Sequence, residues 1–300
     1  MSETTGRVDF VVSNETYQTW YKVYGDLKSG VRPLVTLHGG PGIPHQYLLP
    51  HIDLCKLYSI PVVFYDQIGC GESTHLPDKP KEFWRMDLFL DELENLVARL
   101  GIQNNFDVLG HSAGGRLAAS LACYRHPPGL KRLVIFSSPA SMKFWVDGCR
   151  SLLAQLPEDV QDVIRKHEEA GTTDDPEYQK ATGVFFARHV CRIDPQPQDL
   201  QTALAAMAAE PTVYRTMNGP SEWCVTGPNK DWTIIDDLHR ITTPTLLING
   251  AYDEATDLCV SPYFRGIAKV KWVKFANSSH LACFEERERY MQVVADFLKM

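Results

Sequence analysis

A chain of 300 residues with 44% apolar and 22% charged residues suits one large globular domain, or one domain carrying an insert, and excludes a disordered chain. Its formal charge of −7 and its lack of a Lys/Arg cluster argue against nucleic acid, whose phosphates would meet an acidic surface. No run approaches the roughly 18 apolar residues of a membrane helix, and Met1–Phe10 lacks the basic and apolar segments of a secretory signal, so a cytoplasmic protein with no membrane partner is expected.

Residues 7–24 alternate apolar and polar around Asn14-Glu15, which predicts an antiparallel hairpin at the edge of a sheet. Short apolar runs follow at Pro33–Leu37, Val62–Tyr65, Phe106–Leu109 and Leu133–Phe136. Each is too short for a helix and has the continuous apolar character of a buried parallel strand. Between them, Leu88, Leu90, Leu93, Leu96, Val97 and Leu100 fall largely at helical spacing, and Ala113–Tyr124 is a helical run of small residues. This alternation predicts an α/β fold with a doubly wound, mostly parallel sheet flanked by helices. From about Ala140 to His239 the pattern turns helical and loop-rich, punctuated by Pro157, Pro176, Pro195, Pro197 and Pro211. Strands resume at Thr245–Asn249 and Lys271–Phe275, and Arg287–Met300 closes the chain as an amphipathic helix. The expected organisation is a core of residues 1–139 and 241–300 with a helical lid, 140–240, inserted between its halves. Eight scattered cysteines without a CxxC pair predict free thiols, not a disulfide scaffold or a structural zinc site.

Gly110-His111-Ser112-Ala113-Gly114 lies between a predicted strand and a predicted helix. In that context a GxSxG turn is the nucleophile elbow of an α/β-hydrolase, with Ser112 as nucleophile. The glycines avoid collisions with the neighbouring strand and helix, and the helix N-terminus favours a developing negative charge. His38-Gly39-Gly40-Pro41-Gly42 follows the strand at 33–37, so the Gly40 and Ala113 N–H groups are the expected oxyanion donors. Among the histidines beyond Ser112, only His280 follows a late strand and precedes the last helix, which makes it the expected base. The acid should leave the strand at 245–249: Asp253 is first choice, with Glu254 and Asp257 as alternatives. Such a set needs no metal or organic cofactor.

The HGGPG segment at 38–42, Asp66-Gln67-Ile68-Gly69-Cys70-Gly71 and the GxSxG turn together resemble the proline iminopeptidase family. The stretch Tyr214-Arg215-Thr216-Met217-Asn218-Gly219-Pro220-Ser221-Glu222-Trp223, followed by Lys230-Asp231-Trp232, is similar to the tricorn-interacting aminopeptidase branch and to L-amino acid amidases. The resemblance spans about residues 15 to 300. It implies release of an N-terminal amino acid, Pro or another apolar residue, from a small peptide or amide. It also implies that Glu222 and Glu254 hold the substrate's ammonium, with Trp223 beside them in the binding site. Asp66 and Gln67 are expected to be structural ties. Ala113 stands where the family commonly carries Trp or Tyr, Glu72 where relatives carry Arg or Ser, and Ala255-Thr256-Asp257 departs from the usual ending in Pro. These departures leave the chemistry intact and open the preference for proline. The rival readings are an esterase, lactonase or acyltransferase of a biosynthetic pathway acting on an ester, and a non-catalytic scaffold on the same fold.

Overall fold

The computed structural model describes residues 2–300; Met1, where the expected first core segment begins, lies outside them. The strands are β1 (Glu3–Val12), β2 (Glu15–Tyr24), β3 (Leu34–Leu37), β4 (Val62–Tyr65), β5 (Phe106–His111), β6 (Leu130–Phe136), β7 (Thr245–Gly250) and β8 (Val270–Phe275). They form one sheet in the order β1-β2-β4-β3-β5-β6-β7-β8. The hairpin β1–β2 joins β4 antiparallel, and β3 to β8 run parallel. Every residue of β3, β4 and β5 is buried, because helices cover both faces. The two-residue period of the strands then feeds two cores. Val35, Leu37, Val63, Tyr65 and Val108 enter one, while Leu34, Val62, Phe64 and Leu109 enter the other.

Helices α1 (Ile52–Tyr58), α2 (Met86–Arg99) and α3 (Ala113–Ser120) lie in the first half of the chain. Between β6 and β7 come α4 (Met142–Leu153), α5 (Glu158–Ala170), α6 (Pro176–His189), α7 (Gln198–Ala209) and α8 (Thr212–Met217), and after β7 come α9 (Asp257–Gly266), α10 (Ala282–Glu285) and α11 (Arg287–Lys299). Local chemistry sets several ends. Gly171 closes α5 in the left-handed conformation, and the Asp175 carboxylate accepts the Glu177 N–H at 2.8 Å with Pro176 at the first helical position of α6.

Several elements differ from their sequence patterns, three of them near the site. Strand β6 begins at Leu130, because Lys131 and Arg132 interrupt the apolar run but not the ladder with β5. Strand β5 continues through Gly110 and His111, since the elbow's first two residues still pair with β6. The helix expected over 113–124 is α-helical to Ser120 and then widens into one π turn, Leu121–Arg125. All eight cysteines are free thiols, and no helix of the described residues is long and apolar enough to cross a membrane.

The strand order fixes where a site can lie. From β3 the chain moves outward to β4 and then returns to the other side of β3 as β5. The carboxyl ends of β3 and β5 thus flank the point where the winding reverses, where open α/β sheets form a crevice. The loop 38–42 leaves β3 there, and Ser112 leaves β5.

Candidate active site

Ser112 sits at φ 54°, ψ −121°, an elbow between β5 and α3 that costs about 1–3 kcal/mol and persists only where its surroundings dictate it. Two glycines allow it. A Cβ on Gly110 would lie 2.1 Å from the Gly114 carbonyl oxygen, and one on Gly114 would lie 2.2 Å from the Leu37 carbonyl oxygen. The β3 loop comes equally close, since a Cβ on Gly39 would meet the Ser112 Cβ at 2.8 Å. The Gly39 N–H donates to the Tyr47 hydroxyl at 2.6 Å. Gly40 and Ala113, the expected oxyanion donors, line one cavity with Ser112.

Asp253 and His280 meet directly. The His280 Nδ1 lies 2.7 Å from Asp253 Oδ1, which also accepts the Ala255 N–H at 2.7 Å. The other carboxylate oxygen accepts from Ser137 Oγ at 2.5 Å and from the Gly250 N–H at 3.2 Å. Of the alternative acids, Asp257 points elsewhere, pairing with Lys274 at 2.7 Å. Glu254 faces the far edge of the imidazole instead, with Oε1 3.6 Å from His280 Nε2. Ser112 and His280 border the same cavity, but among the described residues no hydrogen bond joins Ser112 Oγ to His280 Nε2. Such bonds are often open before substrate arrives.

The carboxylates are deeply buried. Burial pushes the Glu254 carboxyl well up, with His280 opposing and Glu222 and Asp253 adding to the rise; its Oε2 has no hydrogen-bond partner. Burial also raises Glu222, against the Tyr214 hydroxyl that donates to it at 2.6 Å and the charges of His280 and Arg116. Burial disfavours the charged His280, but Asp253, Glu254 and Glu222 outweigh it and hold the imidazole at about 9. Glu222 and Glu254 both line the cavity that holds Ser112 and His280.

Trp223 does not join them. It borders neither cavity at Ser112. Its indole N–H donates to Glu168 at 2.5 Å, and its ring packs on Phe185 at 4.8 Å. Trp223 instead borders a neighbouring cavity together with Tyr214 and Glu222, and its indole bond braces the segment that carries Glu222. Asp66 accepts the His45 and Glu72 N–H groups and so joins the segments at 45 and 72, while the Gln67 amide donates to the His38 carbonyl at 3.0 Å and ties down the loop at 38–42.

Several positioning residues had no motif to announce them. The Tyr47 hydroxyl lies 3.0 Å from His111 Nδ1, and His111 Nε2 lies 3.0 Å from the His280 carbonyl. Burial holds the His111 imidazole well below its usual range, so it acts as a neutral link between the two loops. The His189 carbonyl, at the end of α6, accepts the N–H groups of both Glu254 (3.3 Å) and His280 (3.2 Å). Asn218 donates to the Gly40 carbonyl at 3.1 Å and is itself held by Asn229 at 2.8 Å.

A strained serine between strand and helix, facing a buried Asp–His pair across the mouth of a mixed sheet, has the architecture of an α/β-hydrolase, and residues 32–287 match the alpha/beta hydrolase fold family. The chain is 37% identical to a proline iminopeptidase of Saccharolobus solfataricus over 93% of this chain and 88% of that protein. Two crystal structures superpose on it over 98% of both chains: VinJ, at TM-score 0.94 and 45% identity, and a proline iminopeptidase of Mycobacterium smegmatis, at 0.89 and 42%. The chain belongs to the proline iminopeptidase family of α/β-hydrolases.

Proposed function

We propose that the protein releases the N-terminal amino acid from small peptides or amino-acid amides, through an acyl-enzyme on Ser112. One observation carries this reading: two buried carboxylates, Glu222 and Glu254, border the cavity shared by Ser112 and His280, and one Glu254 oxygen has no partner. A free α-ammonium supplies the missing donors. An acetylated amine, or a chain continuing past it, leaves that Glu254 oxygen unpaired in a buried site, which is costly.

In this reading His280 takes the Ser112 proton as Ser112 attacks the first carbonyl. The oxyanion forms against the Gly40 and Ala113 N–H groups, His280 protonates the leaving amine, and water clears the ester. Residues 140–240 serve as a lid, contributing Glu222 from above and an apolar wall of Phe186, Val190, Leu200, Leu204 and Met207 for the leaving group.

Prolyl and alanyl anilides, free and N-acetylated, test the proposal on wild type and Glu222→Ala. Acetylation is expected to lower kcat/KM at least about 10²-fold, as is Glu222→Ala on the free substrates. Equal turnover of free and acetylated substrates would instead establish a general esterase or amidase.

The acidity of His280 adds a second expectation. The free enzyme holds its imidazole at about 9, and the base must be neutral to act. kcat/KM should therefore rise with pH through His280 and fall as the substrate amine, near 8, loses its proton. Bound ammonium neutralises the carboxylates that support the imidazolium, so the pKa of His280 drops. The acid limb of kcat should lie at lower pH than that of kcat/KM. Coincident limbs in the two pH profiles would disprove this coupling.

A further inference from the structure

A small cavity opens beside the nucleophile, bordered by Ser112, Ala113, Met142, Trp145, Glu222 and Arg116. Arg116 lies in the first turn of α3 and is 3% exposed. Its Nη1 is a buried donor with no hydrogen-bond partner. The guanidinium lies 5.5 Å from the centroid of the Trp232 ring, a weak partner for a charge removed from water. The nearest carboxylate influence on it comes from Glu222, which is already bonded to the Tyr214 hydroxyl. The Trp145 indole N–H leans toward Glu222 yet makes no hydrogen bond of normal length. Two unmet donors, one of them cationic, thus share one cavity wall a single turn of helix from the nucleophile.

Buried donors without partners are rare, and their usual remedy is an acceptor. We infer that Arg116 receives a carboxylate on the side chain of the substrate's first residue, extending the substrate class from apolar residues to acidic ones such as aspartyl. The inference rests on the aminopeptidase reading, which orients the first residue with its ammonium at Glu222 and Glu254. An aspartyl N-terminus then carries a positive and a negative group at fixed spacing. The site opposes them with a negative Glu222 and a positive Arg116. Ala113 puts only a methyl group in the wall beside the nucleophile. Leucine has nearly the same shape as aspartate but would leave the guanidinium desolvated and unmatched.

The test compares aspartyl, asparaginyl and leucyl anilides on wild type, Arg116→Met and Arg116→Lys, with N-acetyl-aspartyl anilide alongside. Wild type is expected to favour aspartyl over leucyl by about 10²-fold or more in kcat/KM, with asparaginyl between. Arg116→Met should remove that ratio and Arg116→Lys restore part of it. Faster turnover of leucyl than aspartyl by wild type, or the same ratio in Arg116→Met, overturns the inference. Rapid cleavage of acetyl-aspartyl anilide would sink the aminopeptidase reading separately, because it tests the ammonium site and not the side-chain site. Should either variant fail to fold, thermal stabilisation of wild type by free aspartate and not by free leucine supports the inference, and the reverse order refutes it.

Discussion

Ser112→Ala is expected to lower turnover of a free aminoacyl anilide by roughly 10⁴–10⁶-fold while leaving the fold unchanged. The substitution removes one oxygen and keeps the Cβ that packs against Gly39. Neither the elbow nor the Asp253–His280 bond depends on the hydroxyl, which makes no hydrogen bond to His280 in the resting structure. Circular dichroism and thermal unfolding should therefore overlay wild type, and a fluorophosphonate probe should no longer label the protein. Activity within about tenfold of wild type would remove Ser112 as the nucleophile and take the acyl-enzyme with it.

Asp253→Asn is the second large effect. The Asp253 carboxylate accepts four hydrogen bonds, from His280, Ala255, Ser137 and Gly250. An amide has only one acceptor oxygen. With its NH₂ toward His280 it forces the proton onto Nε2, the atom that must accept from Ser112, and it also opposes the Ala255 N–H. Turned the other way, it keeps the His280 tautomer but opposes the Gly250 N–H. Either orientation orphans a buried donor, at about 1–3 kcal/mol, and both remove the negative charge that supports the imidazolium. Turnover is expected to fall about 10³–10⁴-fold. The acid limb of kcat/KM should also move below about 9, because Asp253 is the first of the charges raising His280. An unshifted limb in this variant would mean that another group titrates.

The residues legible in the sequence are those whose role is written into a few adjacent positions. Gly110, Ser112 and Gly114 announce a turn because a Cβ at either glycine would lie 2.1 or 2.2 Å from a backbone carbonyl oxygen. His280 and Asp253 follow from their places after late strands. Ser137, His189 and Asn218 were not legible, because they act across long stretches of chain or through a carbonyl that any residue carries. Ser137 reaches an acid 116 positions away, and Asn218 reaches a glycine 178 positions away. Trp223 is a case of the opposite kind. It follows Glu222 in sequence, yet both lie in the short turn bridging Ser221 and Cys224, where successive side chains diverge. Glu222 enters the cavity at Ser112, while Trp223 borders a neighbouring cavity that Glu222 also lines. Arg116 shows a limit of motif reading, since it lies just past the GxSxG turn and only its unpaired burial marks it out.

The bond from Asn218 to the Gly40 carbonyl has a consequence for the timing of the cycle. It runs from the helical segment to Gly40, the proposed oxyanion donor. A movement of that segment wide enough to exchange product for substrate must break this contact and loosen Gly40 in the same stroke. On the proposed reading, exchange and bond cleavage would then alternate, and the amide would serve as an interlock that leaves an opened enzyme idle toward a passing polypeptide.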